Sequence, residues 1–226
     1  WMLPSPEAAR ATTPAMTRML TCPPDGPTAA ILSETAAALR AGRIVILPTD
    51  TVYGAAADPR APGALERLFR LKGRPADKPI ALLAADARQV EAAAELGAAG
   101  RALAARFWPG ALTLVLRCGG AWEGYRVPDH PAVQAVLRAA GSTLRVTSAN
   151  RSGEAPALTA AQAAAALDGA ADLALDAGPA PGGRPSTVFA LGPGRPRILR
   201  EGPIPAAAVL AVWQAAQLQD CQPPSA

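Results

Sequence analysis

Four short polar segments carry residue types able to bind a charged ligand. The first, Pro48-Thr-Asp-Thr-Val-Tyr-Gly54, follows a branched apolar run. Thr49, Thr51 and Tyr53 alternate, so an extended backbone would project three hydroxyls on one face, enough to grip a small polar molecule. A Thr-rich strand facing water would read the same way. The second, Lys72-Gly-Arg-Pro-Ala-Asp-Lys78, presents Lys72, Arg74 and Lys78 on a Pro-stiffened loop, a cluster suited to polyphosphate oxygens. All but two of the chain's 22 basic residues are arginine, and both lysines fall here, where compact point charges would serve. No G-x-x-x-x-G-K-[ST] loop occurs, and a solvated loop is the plainer reading of this segment alone.

The third segment is Thr147-Ser-Ala-Asn150, followed by Arg151-Ser-Gly153. Ser148 and Asn150 alternate, and an amide offers donor and acceptor together, as a nucleotide site would use; a turn is the alternative. The fourth runs from Asp176-Ala-Gly-Pro through Gly182-Gly-Arg-Pro-Ser-Thr-Val188 to Arg197-Ile-Leu-Arg-Glu-Gly-Pro203. Its glycines permit close backbone approach, Ser186 and Thr187 supply hydroxyls, and Arg200 could meet phosphate; a Gly-Pro loop between strands fits equally.

The elements that must position these segments alternate in period. Thr28 to Ala41 reads as a helix closed by Gly42, and Arg43 to Leu47 as a buried strand. Pro62 to Leu71 has helical spacing, and Ala87 to Phe107 reads as one or two helices interrupted near Gly97 and Gly100. Pro131 to Ala140, Thr159 to Leu167 and Pro205 to Leu218 complete the helices. Ile80 to Leu83, Ala111 to Leu116, Thr143 to Thr147, Ser186 to Ala190 and Arg197 to Leu199 read as strands. This pattern predicts an α/β fold: a single domain with a twisted mixed sheet and helices packed on it. Residues 1–27, rich in Pro, Thr and Ala, read as a flexible leader in which Met16 or Met19 could be a start. The folded domain is expected to span 28–218, and residues 219–226 read as a flexible tail. Ligands in such sheets sit at loops beyond strand ends, where the four segments fall.

Composition narrows the class. Half the 226 residues are apolar and 18% are charged, which suits a chain that folds around its own core. Cys22, Cys118 and Cys221 form no C-x-x-C pair, so neither a disulfide framework nor a thiolate metal site is indicated. No uncharged apolar run reaches the roughly 18 residues of a membrane span, and no secretory signal pattern opens the chain, so a cytoplasmic location is expected. The net charge of +4 suits nucleotides, phosphates and RNA alike and selects among none of them.

Taken in order, the segments resemble the threonylcarbamoyl-AMP synthases, whose pattern includes PTDTVYG, KGRP followed by KP, V-P-D-H-P, TSAN-x-SG, GG-x-PSTV and a closing LR-x-G. The resemblance runs from about Ala29 to Pro205. It implies a YrdC-like domain of the short form, a nucleotidyltransferase that joins L-threonine, bicarbonate or CO2 and ATP into threonylcarbamoyl-AMP and pyrophosphate. That product serves N6-threonylcarbamoylation of adenosine 37 in tRNA. It further implies threonine contacts from Thr49, Thr51, Tyr53, Arg126 and Ser186, and ATP contacts from Lys72, Arg74, Lys78, Ser148, Asn150 and Arg200. Catalysis would rest on Lys72 and Arg74. Mg2+ is expected with ATP, a downstream transferase complex as the product's acceptor, and direct tRNA contact is a further expectation.

Such chemistry needs positioning and charge neutralisation more than covalent help, in keeping with the lack of a Ser-His-Asp or Cys-His set. His130, the sole histidine, reads as structural. One departure from the family is Leu83, near which some members carry a histidine in the amino-acid pocket. Two other readings stand beside this one: a carbamoyl-adenylate-forming domain, and an RNA-binding or ribosome-assembly module, against which few aromatics and dispersed arginines argue.

Overall fold

The computed structural model describes residues 16–75, 77–192 and 194–220. Ten strands form one mixed sheet in the order β1-β8-β2-β3-β7-β4-β6-β5-β9-β10. They are β1 (Arg18–Thr21), β2 (Val45–Leu47), β3 (Gly54–Ala57), β4 (Leu82–Leu83), β5 (Leu112–Cys118), β6 (Ala121–Arg126), β7 (Leu144–Ser148), β8 (Leu173–Asp176), β9 (Thr187–Ala190) and β10 (Arg197–Arg200). Parallel pairs (β1/β8, β2/β8, β4/β6, β5/β9) sit among antiparallel ones, as expected for a mixed sheet.

Seven helices pack on it: α1 (Ala29–Arg40), α2 (Ala64–Lys72), α3 (Ala87–Glu91), α4 (Gly97–Phe107), α5 (Pro131–Ala140), α6 (Ala160–Ala166) and α7 (Ala206–Asp220). Their ends follow the sequence signals. Thr28 caps α1 by accepting the Ile31 amide at 3.3 Å, and Asp86 and Thr159 cap α3 and α6 in the same manner. At the far end of α2, Gly73 adopts φ 58°, a left-handed stop that reverses the chain and turns Arg74 back across the sheet.

The run at Ile44 to Leu47 is apolar throughout because both its faces are buried. Ile44 and Ile46 join the core beneath α2 and α6, while Val45 and Leu47 join that beneath α1 and α5. The other half of the sheet is two-faced. Leu112, Leu114, Leu116, Tyr125 and Phe189 pack under α4 and α7, whereas Thr113, Val115, Gly124 and Val188, on the opposite face of the same strands, line a cavity.

Four strands were not expected from sequence. Part of the stretch read as a leader is β1, an edge strand whose residues pair in register with β8, and Cys22 just beyond it is buried. Residues 1–15 and 221–226 lie outside the described residues, and so does Cys221. Gly-Ala-Ala-Ala of β3 has weak strand propensity, but β2 and β7 pair with it on both sides and fix its conformation. β6 carries no clean alternation, and β8 is only four residues long. Gly100 sits inside α4 and interrupts nothing; the break falls at residues 92–96.

Candidate active site

The cavity on the open face holds about 440 Å³, a size suited to a small-molecule ligand. Its wall is assembled from all four polar segments: Thr49 and Thr51, Arg74, Ser148, and Ser186 with Arg200, together with Arg126 at the end of β6. Thr51 and Arg74 therefore open onto one space.

One part of the wall is built around Arg126. The Thr49 hydroxyl accepts the amides of Thr51 and Val52, both at 3.2 Å, and lies 2.9 Å from the Thr51 hydroxyl. This closes a local turn, not the extended run expected for residues 49–53, yet it still brings the two threonine hydroxyls together. Arg126 donates from Nε to Gly110 O at 2.9 Å, from Nη1 to Thr51 Oγ1 at 2.9 Å and from Nη2 to Asp50 Oδ1. Burial pulls its pKa down, and the Asp50 carboxylate opposes that pull. A second loop is pressed onto the turn: Gly183 N–H donates to Thr51 O at 2.8 Å, and a Cβ on Gly182 would lie 2.6 Å from Asp50 O. The double glycine of that segment thus serves close approach.

Two more cations line the same cavity. Arg200 donates from Nε and Nη2 to Ser186 O at 3.0 and 2.8 Å, and Ser186 Oγ lies 2.8 Å from Thr113 Oγ1. Arg74 is braced by the carbonyls of Lys78 and Pro79, both at 2.9 Å. Among the described residues neither Arg74 nor Arg200 has a carboxylate within 4 Å. Burial lowers the pKa of both, and Arg200 also feels Arg126 and Arg74. Two partly desolvated guanidiniums without counter-charge make an anion the favoured occupant. Trp122, 38% exposed, and Leu199, 51% exposed, add apolar surface to the wall.

Several expected contacts lie elsewhere. Tyr53 is fully buried in the core and donates to Gly178 O at 2.6 Å, so it does not line the cavity. Because residues 49–53 form a turn, its ring leaves the threonine face. Lys72 is 2% exposed and donates to Ser148 O from beneath the wall. Lys78 is exposed; its carbonyl accepts from Arg74 and its amide donates to Pro75 O at 3.1 Å, and it is absent from the wall. Asn150 is buried, its Nδ2 donating to Arg151 O and Glu154 O at 2.9 and 2.7 Å, and it is absent from the wall. Of the six ATP contacts expected, the structure brings Arg74, Ser148 and Arg200 to the cavity; of the five threonine contacts it brings Thr49, Thr51, Arg126 and Ser186.

His130 caps α5 by accepting the Ala132 amide at Nδ1, 3.3 Å, and burial lowers its pKa, which keeps that nitrogen an acceptor. Among the described residues no three His, Cys, Asp or Glu side chains converge, and Cys22 and Cys118 are free thiols. No described helix is long and apolar enough to cross a membrane.

Residues 37–202 match the family model Sua5_yciO_yrdC, described as "Telomere recombination". The chain belongs to the Sua5/YciO/YrdC family. It is 36% identical to the threonylcarbamoyl-AMP synthase of Bacillus subtilis over 76% of this chain and 54% of that protein. It is 39% identical to the threonylcarbamoyl-AMP synthase of Thiobacillus denitrificans over 70% of this chain and 89% of that one. The crystal structure of P. abyssi Sua5 complexed with L-threonine superposes with a TM-score of 0.81 at 30% identity, covering 87% of this chain and 61% of that one. The chain thus spans about half the length of the Bacillus relative. Within the Sua5/YciO/YrdC family its twisted mixed sheet and helices are the shared architecture.

Asp50 and Thr113 were not singled out from sequence. Asp50 stands between two threonines that were, and its link to Arg126, 76 residues away, is made only by the fold. Thr113 could be found only from register, since it stands opposite Val188.

Lys72 yields a first prediction. Burial, with Arg74 adding to it, lowers its pKa from 10.5 to about 8. The unfolded chain therefore binds more protons between pH 8 and 10.5, so stability should rise across that window and the penalty should be complete below it. Lys72→Met should be more stable than the parent by up to about 3 kcal/mol near pH 7, and the gap should close by about pH 10.5. Urea unfolding of both proteins at the two pH values measures it.

Proposed function

We propose that this chain is an L-threonylcarbamoyladenylate synthase, forming threonylcarbamoyl-AMP and pyrophosphate from L-threonine, bicarbonate or CO2, and ATP. One observation carries the reading: a single cavity is lined by an arginine anchored among hydroxyls and paired with a carboxylate, and by two guanidiniums lacking counter-charge. The first suits the carboxylate and hydroxyl of a small amino acid; the other two suit a triphosphate. The names of the Bacillus and Thiobacillus relatives, and threonine in the P. abyssi crystal, agree with it.

The threonine amine would add to CO2, losing a proton to solvent and becoming a carbamate. A carbamate oxygen would then attack the α-phosphorus as the bond to the β-phosphate oxygen breaks and pyrophosphate leaves. Arg126, held by Gly110, Thr51 and Asp50, would fix the carboxylate, while Arg74 and Arg200 would offset charge on the phosphates. The side chains around the cavity do not form a cage for Mg2+, because Asp50 is bound to Arg126 and no carboxylate cluster occurs among the described residues. Any Mg2+ would enter with ATP, held by phosphates and water. The product would pass to a transferase acting on tRNA, and a cytoplasmic location follows from that role.

Protein incubated with ATP, bicarbonate and threonine should release pyrophosphate only when all three are present; no release would overturn the reading. Leu83 bears on selectivity. It pairs in register with Arg126 and lines the cavity as an apolar surface. Leu83→Ala should reduce the preference for threonine over serine, read as the ratio of kcat/KM, by about fourfold, the worth of one methyl group.

A further inference from the structure

The turn between β2 and β3 ends in two side chains that both reach the same guanidinium, and only one of them, Thr51, faces the cavity. The other, Asp50, has 12% of its side chain exposed and is not part of the cavity wall, yet it forms the buried ion pair with Arg126. We propose that Asp50 is a positioning residue: it acts through Arg126, directing the guanidinium so that the amino-acid carboxylate binds in one orientation. This rests on the amino-acid reading of that part of the cavity.

A guanidinium carries five N–H donors in a planar fork. In Arg126 three are spoken for, by Gly110 O, Thr51 Oγ1 and Asp50 Oδ1, which come from three directions and fix the plane. One N–H is left on each terminal nitrogen, two donors for a carboxylate. Without the Asp50 bond, Nη2 loses its anchor and that pair can rotate about the remaining contacts. The placement of Asp50 is itself constrained. The Thr49 hydroxyl closes the turn, and Gly182 lies against the Asp50 carbonyl so closely that a methyl group would not fit. Asp50 thus stands behind the arginine, in a position to steer it.

Among the arginines of the cavity Asp50 bonds Arg126 and neither Arg74 nor Arg200, so the effect should be confined to the amino acid. Asp50→Ala should raise KM for threonine by about tenfold or more, with KM for ATP changing by less than about twofold. Asp50→Asn keeps an oxygen acceptor for Nη2, and its rise should be smaller, about threefold. In an Arg126→Ala background neither substitution should raise KM further, because Asp50 acts only through that side chain. Asp50→Ala leaves a buried cation unpaired, and if its thermal transition is lost the Asp50→Asn cycle with Arg126→Ala is read in its place.

Threonine affinity is measured in parallel by isothermal titration calorimetry. A parent protein that binds threonine but releases no pyrophosphate tells against the proposed reaction, and the Asp50 inference is then judged on the Kd ratios, with the same factors expected. A parent that does not bind threonine overturns both. Equal factors with and without Arg126, a parallel rise in KM for ATP, or no effect of either Asp50 variant would overturn the inference alone.

Discussion

Arg126→Ala is expected to lower kcat/KM for threonine by about two to four orders of magnitude, since hydrogen bonds to a charged group contribute about 1.5–3 kcal/mol each and two would be lost. The same substitution should destabilise the fold. Asp50 would lose its ion-pair partner in a site where 12% of its side chain is exposed, and breaking a buried pair from one side costs about 3–5 kcal/mol. Arg126→Lys restores the charge but cannot satisfy three acceptors and a carboxylate at once, so it should recover stability more than activity. Threonine-dependent pyrophosphate release and urea unfolding on the same preparations separate the two effects. A near-normal rate in Arg126→Ala would remove the amino-acid site from the proposed reaction.

Arg74→Ala and Arg200→Ala should behave differently. Each removes a cation that lacks a carboxylate partner, so no orphaned charge remains and burial no longer penalises a guanidinium. Activity should fall by about tenfold to two-hundredfold for either, the equivalent of about 1.5–3 kcal/mol per lost charged hydrogen bond to phosphate, with the loss seen in ATP dependence and not in threonine KM. Free energies of unfolding should stay within about 1 kcal/mol of the parent, because Arg74 leaves two carbonyls, and Arg200 the Ser186 carbonyl, to solvent at the cavity edge. Arg74 and Arg200 variants that turn over ATP at parental rates would end the phosphate assignment. The contrast with Arg126 tests the division of the cavity's arginines into a neutralised one and two charged ones.

Much of this arrangement was legible in the sequence for identifiable reasons. Helix ends could be read because they are local: Thr28, Asp86 and Thr159 cap through their own side chains, and Gly73 stops α2 by its own backbone. The four polar segments could be read because each interrupts an apolar run. What could not be read was direction. Tyr53 and Thr51 share a period, but a turn, fixed by a hydroxyl two residues away, sends one into the core and the other to the cavity. Lys72 and Arg74 are two residues apart, and a left-handed glycine between them decides that one is buried under the wall and the other forms part of it. Strands such as β3 were invisible because their pairing partners, not their own residues, determine them.

The wall of the cavity draws Thr51, Arg74, Arg126, Ser148, Ser186 and Arg200 from stretches spread over most of the chain, joined by a sheet in which β3 neighbours β7 and β5 neighbours β9. No fragment that ends before β10 contains the complete set, so a nascent or truncated chain lacks the full pocket. Occupancy by a ligand would accordingly report on the whole tertiary structure, and a tight binder should raise the melting temperature of every element together, not of one region.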